Sequence, residues 1–263
     1  MTEGSLFIPT KSGIKLNALL RKLQGAGKFP AVLFVSGLGM TMHEWNNSFD
    51  EIAKRLVEDG FATLQFTFDI FKNNETRELP LKKRAEELKD VIEWVANQPF
   101  VDTAHIGLVA QSYGVATAIT ADLSIIKSIV FVSGTYNLEE AIERVYQERG
   151  VIINYRGDTT LPRSSGEYTT VDERFWQDAK RFDVVGLAGK LKTQSVIVVH
   201  GDKDTKISPE EAQKFYTSLG TKNKKLKIFV GGDHGISDVP RAMREEFITF
   251  VVEWFGKTLK MEI

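Results

Sequence analysis

The chain predicts an α/β protein: a mostly parallel, eight-stranded sheet flanked by helices, with a small inserted cap. Three observations lead there. Six short apolar runs recur along the 263 residues, most without polar alternation, the mark of strands covered on both faces. Helical stretches separate them, and strand–helix alternation builds a parallel sheet with right-handed crossovers. One segment, 135–186, breaks the rhythm.

The elements follow in order. "SLFIPT" and "IKLNALLRKL" flank "KSG", an antiparallel hairpin turning at Lys11, Ser12 and Gly13. The buried strands are "AVLFV" (31–35), "ATLQFTF" (62–68), "IGLVA" (106–110), "SIVFVS" (128–133), "SVIVVH" (195–200) and "KLKIFV" (225–230). A first helix puts Phe49, Ile52, Ala53 and Leu56 on one face and stops at Gly60. A second puts Leu81, Ala85, Leu88, Val91, Ile92 and Val95 on one face. "SPEEAQKFYTSLG" opens with Ser208 as N-cap and Pro209 in the first turn. "REEFITFVVEWFGKTL" is the last helix.

Within 135–186, a helical piece (138–147) precedes "GVIINYRG", a polar loop "DTTLPRSSG", "EYTTV" and a helical "DERFWQDAKRF". The reading is a hairpin with flanking helices. Structureless loops of this length are rare in compact domains, and Tyr146, Tyr155, Tyr168, Phe175 and Trp176 are too many aromatics for disorder. The core is therefore expected over 1–134 and 187–263, and the cap over 135–186.

Composition narrows the function. Hydrophobic residues make up 42% and charged residues 26%, as in soluble globular proteins. With 34 basic and 35 acidic residues the net charge is −1, which builds no field for nucleic acid. The absence of cysteine excludes disulfides, thiolate catalysis and cysteine zinc sites. "MTEGSLFIPTKSG" has an early acid and no long apolar core, unlike a signal peptide, and no apolar run is long enough to span a bilayer. The expectation is a soluble cytoplasmic protein with no metal or other cofactor, acting on a small molecule. A homodimer is left open.

"HIGLVAQSYGVATAITADL" carries the chemistry. A strand ends at Ala110 and a helix starts after Ser112, a bend that projects a serine above the carboxyl edge of the sheet. Gly114, Ala116 and Ala118 supply the small neighbours that bend needs. The alternative is a serine that merely caps the helix. A nucleophilic serine needs a base with an acid behind it. Of four histidines, His105 precedes a strand, His200 ends one, and His43 lies in the first sheet loop. His234 sits in "VGGDHGISD", a glycine-rich loop after the last strand. "VIVVHGDKDTKIS" offers Asp202 and Asp204 in a turn that aspartate also favours for itself. These groups all fall at carboxyl ends of strands, where ligands bind in open α/β sheets. "AVLFVSGLGMTMHEW" puts a glycine-rich loop after the first buried strand. Leu38, following the sharp turn at Gly37, and Tyr113 are the expected N–H donors to an oxyanion. No phosphate-loop glycine pattern is present.

Over nearly its whole length the sequence resembles the α/β-hydrolase superfamily, through "VSGLGM", "DGFATLQFTFD", "IGLVAQSYGVATA", "VIVVHGDKDTKIS" and "GGDHGIS". Its size, opening hairpin and cap length look like the cinnamoyl/feruloyl esterase-like carboxylesterases and the serine aminopeptidase-type hydrolases. The resemblance implies Asp204 rather than Asp202 as the acid, giving the chain order Ser112, Asp204, His234. It implies carboxylesterase activity through an acyl-enzyme. Thioesterase, acyltransferase or peptidase chemistry on the same residues, and an inactive binding protein of this fold, are the alternatives. Ser36-Gly37 stands where the family usually has His-Gly, and Ala110 where the elbow has glycine. "FDIFKNNETRE" replaces a common family loop near the substrate entrance.

Overall fold

The computed structural model describes residues 1–72, 75–163, 166–192 and 194–260. In chain order the elements are β1 (Thr2–Pro9), β2 (Lys15–Lys22), β3 (Phe29–Val35), α1 (Ser48–Glu58), β4 (Ala62–Phe66), β5 (Phe71–Lys72), β6 (Glu75–Arg77), α2 (Leu81–Ala96), β7 (Val101–Gln111), α3 (Tyr113–Thr120) and β8 (Ser128–Val132). Then follow α4 (Leu138–Glu148), β9 (Thr159–Pro162), β10 (Tyr168–Val171), α5 (Glu173–Arg181), α6 (Val184–Ala188), β11 (Ser195–Gly201), α7 (Pro209–Ser218), β12 (Lys224–Phe229) and α8 (Arg241–Leu259).

Eight of these strands form one sheet in the order β1-β2-β4-β3-β7-β8-β11-β12. The β1–β2 and β2–β4 pairs are antiparallel and the rest parallel. The continuous apolar runs have a direct cause. Along β3, Val32 and Phe34 face the core built with Phe49 and Ile52 of α1 and Phe247 and Val251 of α8. Leu33 and Val35 face the opposite core with Leu88 and Val91 of α2 and Val115 of α3. Strands β8 and β11 divide their side chains between the two cores in the same way. Each such side chain contributes about 1.5–3 kcal/mol by leaving water, and both faces of these strands use that term.

The remaining strands form a smaller sheet, β5-β6-β10-β9. Two expectations change here. The first arm of the inserted hairpin is Thr159–Pro162, inside the stretch expected as loop, while "GVIINYRG" is irregular. Thr159 and Leu161 point inward and their neighbours outward, a two-residue alternation that suits a strand, and Asn154 turns the preceding chain through the Thr159 hydroxyl. Second, Phe71–Lys72 and Glu75–Arg77 of "FDIFKNNETRE" belong to this sheet, because β5 pairs with β6 and β6 pairs in parallel with β10. Asn73 and Asn74, and Ser164 and Ser165 of the polar loop, lie outside the described residues. The inserted aromatics largely form a local core: Trp176 packs edge-on against Tyr146, Tyr155 and Phe175, and Phe175 leans on Tyr113.

Helix α2 buries a carboxyl group on its sheet-facing side. Glu87 is 1% exposed, and burial pushes its carboxyl up to about 7 although the Asp69 N–H bonds it. An acid raised on folding contributes stability below its unfolded value, and that contribution is lost as pH rises through the folded value. The Glu87→Gln variant should therefore be more stable than the parent at pH 8 by about 2–3 kcal/mol. The gap should close towards pH 4.5. Urea unfolding across this range measures it, and a gap independent of pH contradicts the burial argument.

Candidate active site

The turn from β7 into α3 is tight. Ser112 has φ 54° and ψ −123°, a conformation that side chains adopt only under constraint. Its N–H donates to the Val132 carbonyl of β8 at 3.0 Å, and its own carbonyl accepts from Val115 and Thr135. The helix passes so close to β3 that a β-carbon on Gly114 would lie 2.3 Å from the Val35 carbonyl oxygen. As the residue before α3, Ser112 makes no side-chain capping bond. Its Oγ lies instead 3.1 Å from Nε2 of His234.

Two loops deliver the other groups. After β11, Gly201 packs against the β12–α8 loop, where a β-carbon would meet the Gly232 carbonyl oxygen at 2.2 Å. Asp202 ties the loops together by accepting the Gly231 N–H. Asp204 Oδ2 lies 2.8 Å from Nδ1 of His234, so the imidazole with its proton on Nδ1 donates to the acid and presents Nε2 to the serine. Burial opposes ionisation of Asp204, but the bond from His234 and the Ile207 N–H outweigh it and hold its carboxyl below the usual range. His200, fully buried, bonds the Ile207 carbonyl, and burial lowers its basicity. His43 pairs with Asp50 and His105 with Asp102.

The loop after β3 completes the floor of a cavity of about 390 Å³, lined by Leu38, Ser112, Tyr113 and His234 among others. Neither the Leu38 nor the Tyr113 N–H joins the backbone hydrogen-bond network of the described residues. A buried ion pair holds the loop. Arg84 and Glu78 are fully enclosed and 3.1 Å apart. Arg84 donates to the Ser36 and Gly37 carbonyls, and Glu78 accepts the Gly39 and Leu79 N–H groups. The guanidinium also lies over the Phe68 ring at 3.9 Å. Glu44 accepts the Gly37 and Trp45 N–H groups, and burial raises its carboxyl above the usual range. Among the described residues no cluster of three or more His, Asp or Glu is placed to hold a metal ion, and no helix is long and apolar enough to cross a membrane.

Residues 73–262 match Peptidase_S9, the prolyl oligopeptidase family. The chain belongs to that family. Among curated proteins none matches its sequence. Solved structures similar to it include Est1E from Butyrivibrio proteoclasticus, at 23% identity over 96% of this chain and 99% of that one, with a TM-score of 0.76. The Pyrococcus furiosus esterase Pf2001 is 18% identical over 98% and 94%, with a TM-score of 0.72. A Mycobacterium tuberculosis puromycin-hydrolyzing peptidase is 13% identical over 99% of this chain but 40% of its own, with a TM-score of 0.73. These likenesses show a shared α/β-hydrolase fold.

In this member of the prolyl oligopeptidase family, sequence reasoning missed Glu44, Glu78 and Arg84. A signal for Arg84 existed. It occupies the apolar stripe of α2 between Leu81 and Leu88, and a charge on a buried stripe needs a partner. Removing that partner has a predictable cost. Arg84→Met should destabilise the fold by about 3–5 kcal/mol, because Glu78 stays buried and unpaired. The double variant with Glu78→Leu should regain much of that loss. Equal unfolding midpoints for the single and double variants contradict the pairing.

Proposed function

We propose that the protein is a serine hydrolase cleaving small carboxylic esters, with Ser112 as nucleophile, His234 as general base and Asp204 as the acid that orients it. The observation that carries this reading is the continuous hydrogen-bonded line from Ser112 Oγ through His234 to Asp204, 3.1 Å and 2.8 Å long, at the floor of a cavity. Ser112 Oγ attacks the ester carbonyl while His234 Nε2 takes its proton, and Asp204 stabilises the resulting imidazolium. Negative charge develops on the carbonyl oxygen, and the Leu38 and Tyr113 N–H groups receive it. Such donors are typically worth about 3–4 kcal/mol each in the transition state. His234 then gives its proton to the leaving alkoxide, and a water molecule deprotonated by the same nitrogen cleaves the acyl-enzyme.

In this reading residues 135–186 form a cap on a core of 1–134 and 187–263, joined to it by the pairing of Glu75–Arg77 with Tyr168–Val171. Apolar side chains of α4 and β9, Ile142, Val145 and Leu161, line the cavity from that side, which suits an acyl chain or ring. Ferulic acid is bound to Est1E in one of the similar structures. A second reading, cleavage of peptide or amide bonds, is favoured by the family match itself. Transfer of the acyl group to another alcohol, thiol or amine uses the same first step.

Steady-state assays with 4-nitrophenyl esters of increasing acyl length, beside a chromogenic prolyl peptide amide, test these readings. The esters should be cleaved with the higher kcat/KM, and Ser112→Ala should lower it by about 10⁵- to 10⁶-fold. A preference for the peptide amide selects the second reading. Ester cleavage that survives Ser112→Ala contradicts both.

A further inference from the structure

The cavity lining carries four cations, none of them in an ion pair among the described residues. Arg149 and Arg163 enter it from the inserted segment, and Lys203 and Lys206 from the loop after β11. Among the described residues none of the four has a carboxylate within ion-pair distance. The acids on the same wall are occupied. Glu44 accepts two backbone N–H groups, Asp233 accepts those of Ser237 and Asp238, and Asp238 accepts from Trp45 and Asn46. Arg163 is half-buried, and burial, opposed by the nearby Glu78, Glu44 and Glu167, holds its guanidinium below its ordinary value. Lys206 is exposed by area, yet its ammonium too is held down, first by lost hydration and then by the neighbouring Arg149 charge. Cations that desolvate and repel one another are unfavourable unless something anionic joins them.

Three features tie this cluster to substrate rather than to the fold. Arg163 donates to the Leu38 carbonyl, one residue's backbone from the N–H proposed for the oxyanion. A guanidinium has five N–H donors, and among the described residues Arg163 uses one more, towards the Met40 sulfur. Arg149 spends one donor on the Pro162 carbonyl, so both keep donors for a ligand. Tyr146, fully buried in the same wall, has a hydroxyl with no partner among the described residues. The same cavity is also lined by the apolar side chains of Ile142, Val145 and Leu161.

We propose that Arg149, Arg163 and Lys206 form a subsite for an anionic group on the substrate, so that the preferred esters carry a carboxylate or phosphate in addition to an apolar chain or ring. This rests on the proposed hydrolase reading for its chemistry, but the binding site itself does not require cleavage. Long-range attraction would also draw such substrates towards the cavity, an effect that salt screens.

Calorimetric binding separates the two. The probes are hexanamide, adipamate (the same chain length ending in a carboxylate) and pentyl phosphate. The wild type should bind the better of the two anions about tenfold more tightly than hexanamide, with the advantage shrinking as salt rises. Whichever anion binds more tightly identifies the head group. In Arg149→Gln/Lys206→Met the advantage should fall to about twofold, and in Lys206→Met alone it should be intermediate. Neither side chain anchors the oxyanion loop, so each variant should fold. Equal binding of all three probes by the wild type, or an advantage untouched in the double variant, overturns the subsite. Hydrolysis of 4-nitrophenyl hexanoate and of the 4-nitrophenyl half-ester of adipic acid reads the other claim. Where adipamate is the tighter-binding anion, cleavage of both at equal kcat/KM overturns the subsite while sparing the hydrolase reading. Cleavage of neither, with the binding preference intact, overturns the hydrolase reading while sparing the subsite.

Discussion

The backbone of Ser112, at φ 54° and ψ −123°, is the conformation on which the rest of the site depends. Such a residue carries strain of about 1–3 kcal/mol and persists only where its surroundings over-determine it. Here they do so from three directions. β8 accepts its N–H, α3 and the loop after β8 donate to its carbonyl, and the missing side chain of Gly114 lets the helix settle against the Val35 carbonyl. Relaxing Ser112 to an ordinary helix-capping geometry would break these contacts together. The strain is thus stored by the packing of a central parallel sheet, whose strands draw hydrophobic stabilisation from both faces.

That sheet also decides where everything else arrives. Parallel strands end at one edge, so the loops after β3, β7, β11 and β12 converge there without any long excursion. Convergence brings unlike problems into one small volume. Acidic groups are desolvated close to a serine, and a glycine-rich loop must keep one conformation beside it. The Arg84–Glu78 pair answers the second problem by bonding the carbonyls of Ser36 and Gly37 and the N–H of Gly39. Asp204 answers the first, since its burial is offset by donors on both oxygens. Glu44 is the less comfortable case. It is buried, left-handed at φ 58°, and followed by Asn46 and Asn47 with positive φ as well. This strained turn is fastened to the histidine loop through Trp45, Asn46, Ser237 and Asp238.

The eight-stranded sheet was legible in the sequence because burial on two faces writes a continuous apolar run, as in Val32 to Val35. The helices were legible because one-sided burial writes a 3.6-residue stripe. The residues that meet at the sheet edge could be nominated because they follow strand ends in the chain. What escaped has a physical reason in each case. β5 spans two residues and β6 three, too short to be stable alone or to show a period: β5 pairs with β6, and β6 pairs with β10, nearly a hundred residues away. β9 mixes threonine with a single leucine, so its strand character comes from its partners. Arg84 and Glu78 were hidden because a charge inside an apolar stripe reads as an ordinary surface residue until its partner is found. The separate roles of Asp202 and Asp204, two positions apart in one turn, emerge from which residue of the β12–α8 loop each reaches, Gly231 or His234.

The proposed chemistry requires that Ser112 Oγ be the atom that reacts and that His234 make it reactive. Labelling with a fluorophosphonate, followed by peptide mapping by mass spectrometry, addresses both in one experiment. The account predicts a single adduct on Ser112 in the wild type, and labelling slowed by orders of magnitude in a folded His234→Ala variant. An adduct on another residue, or a wild-type rate of labelling in His234→Ala, would contradict it.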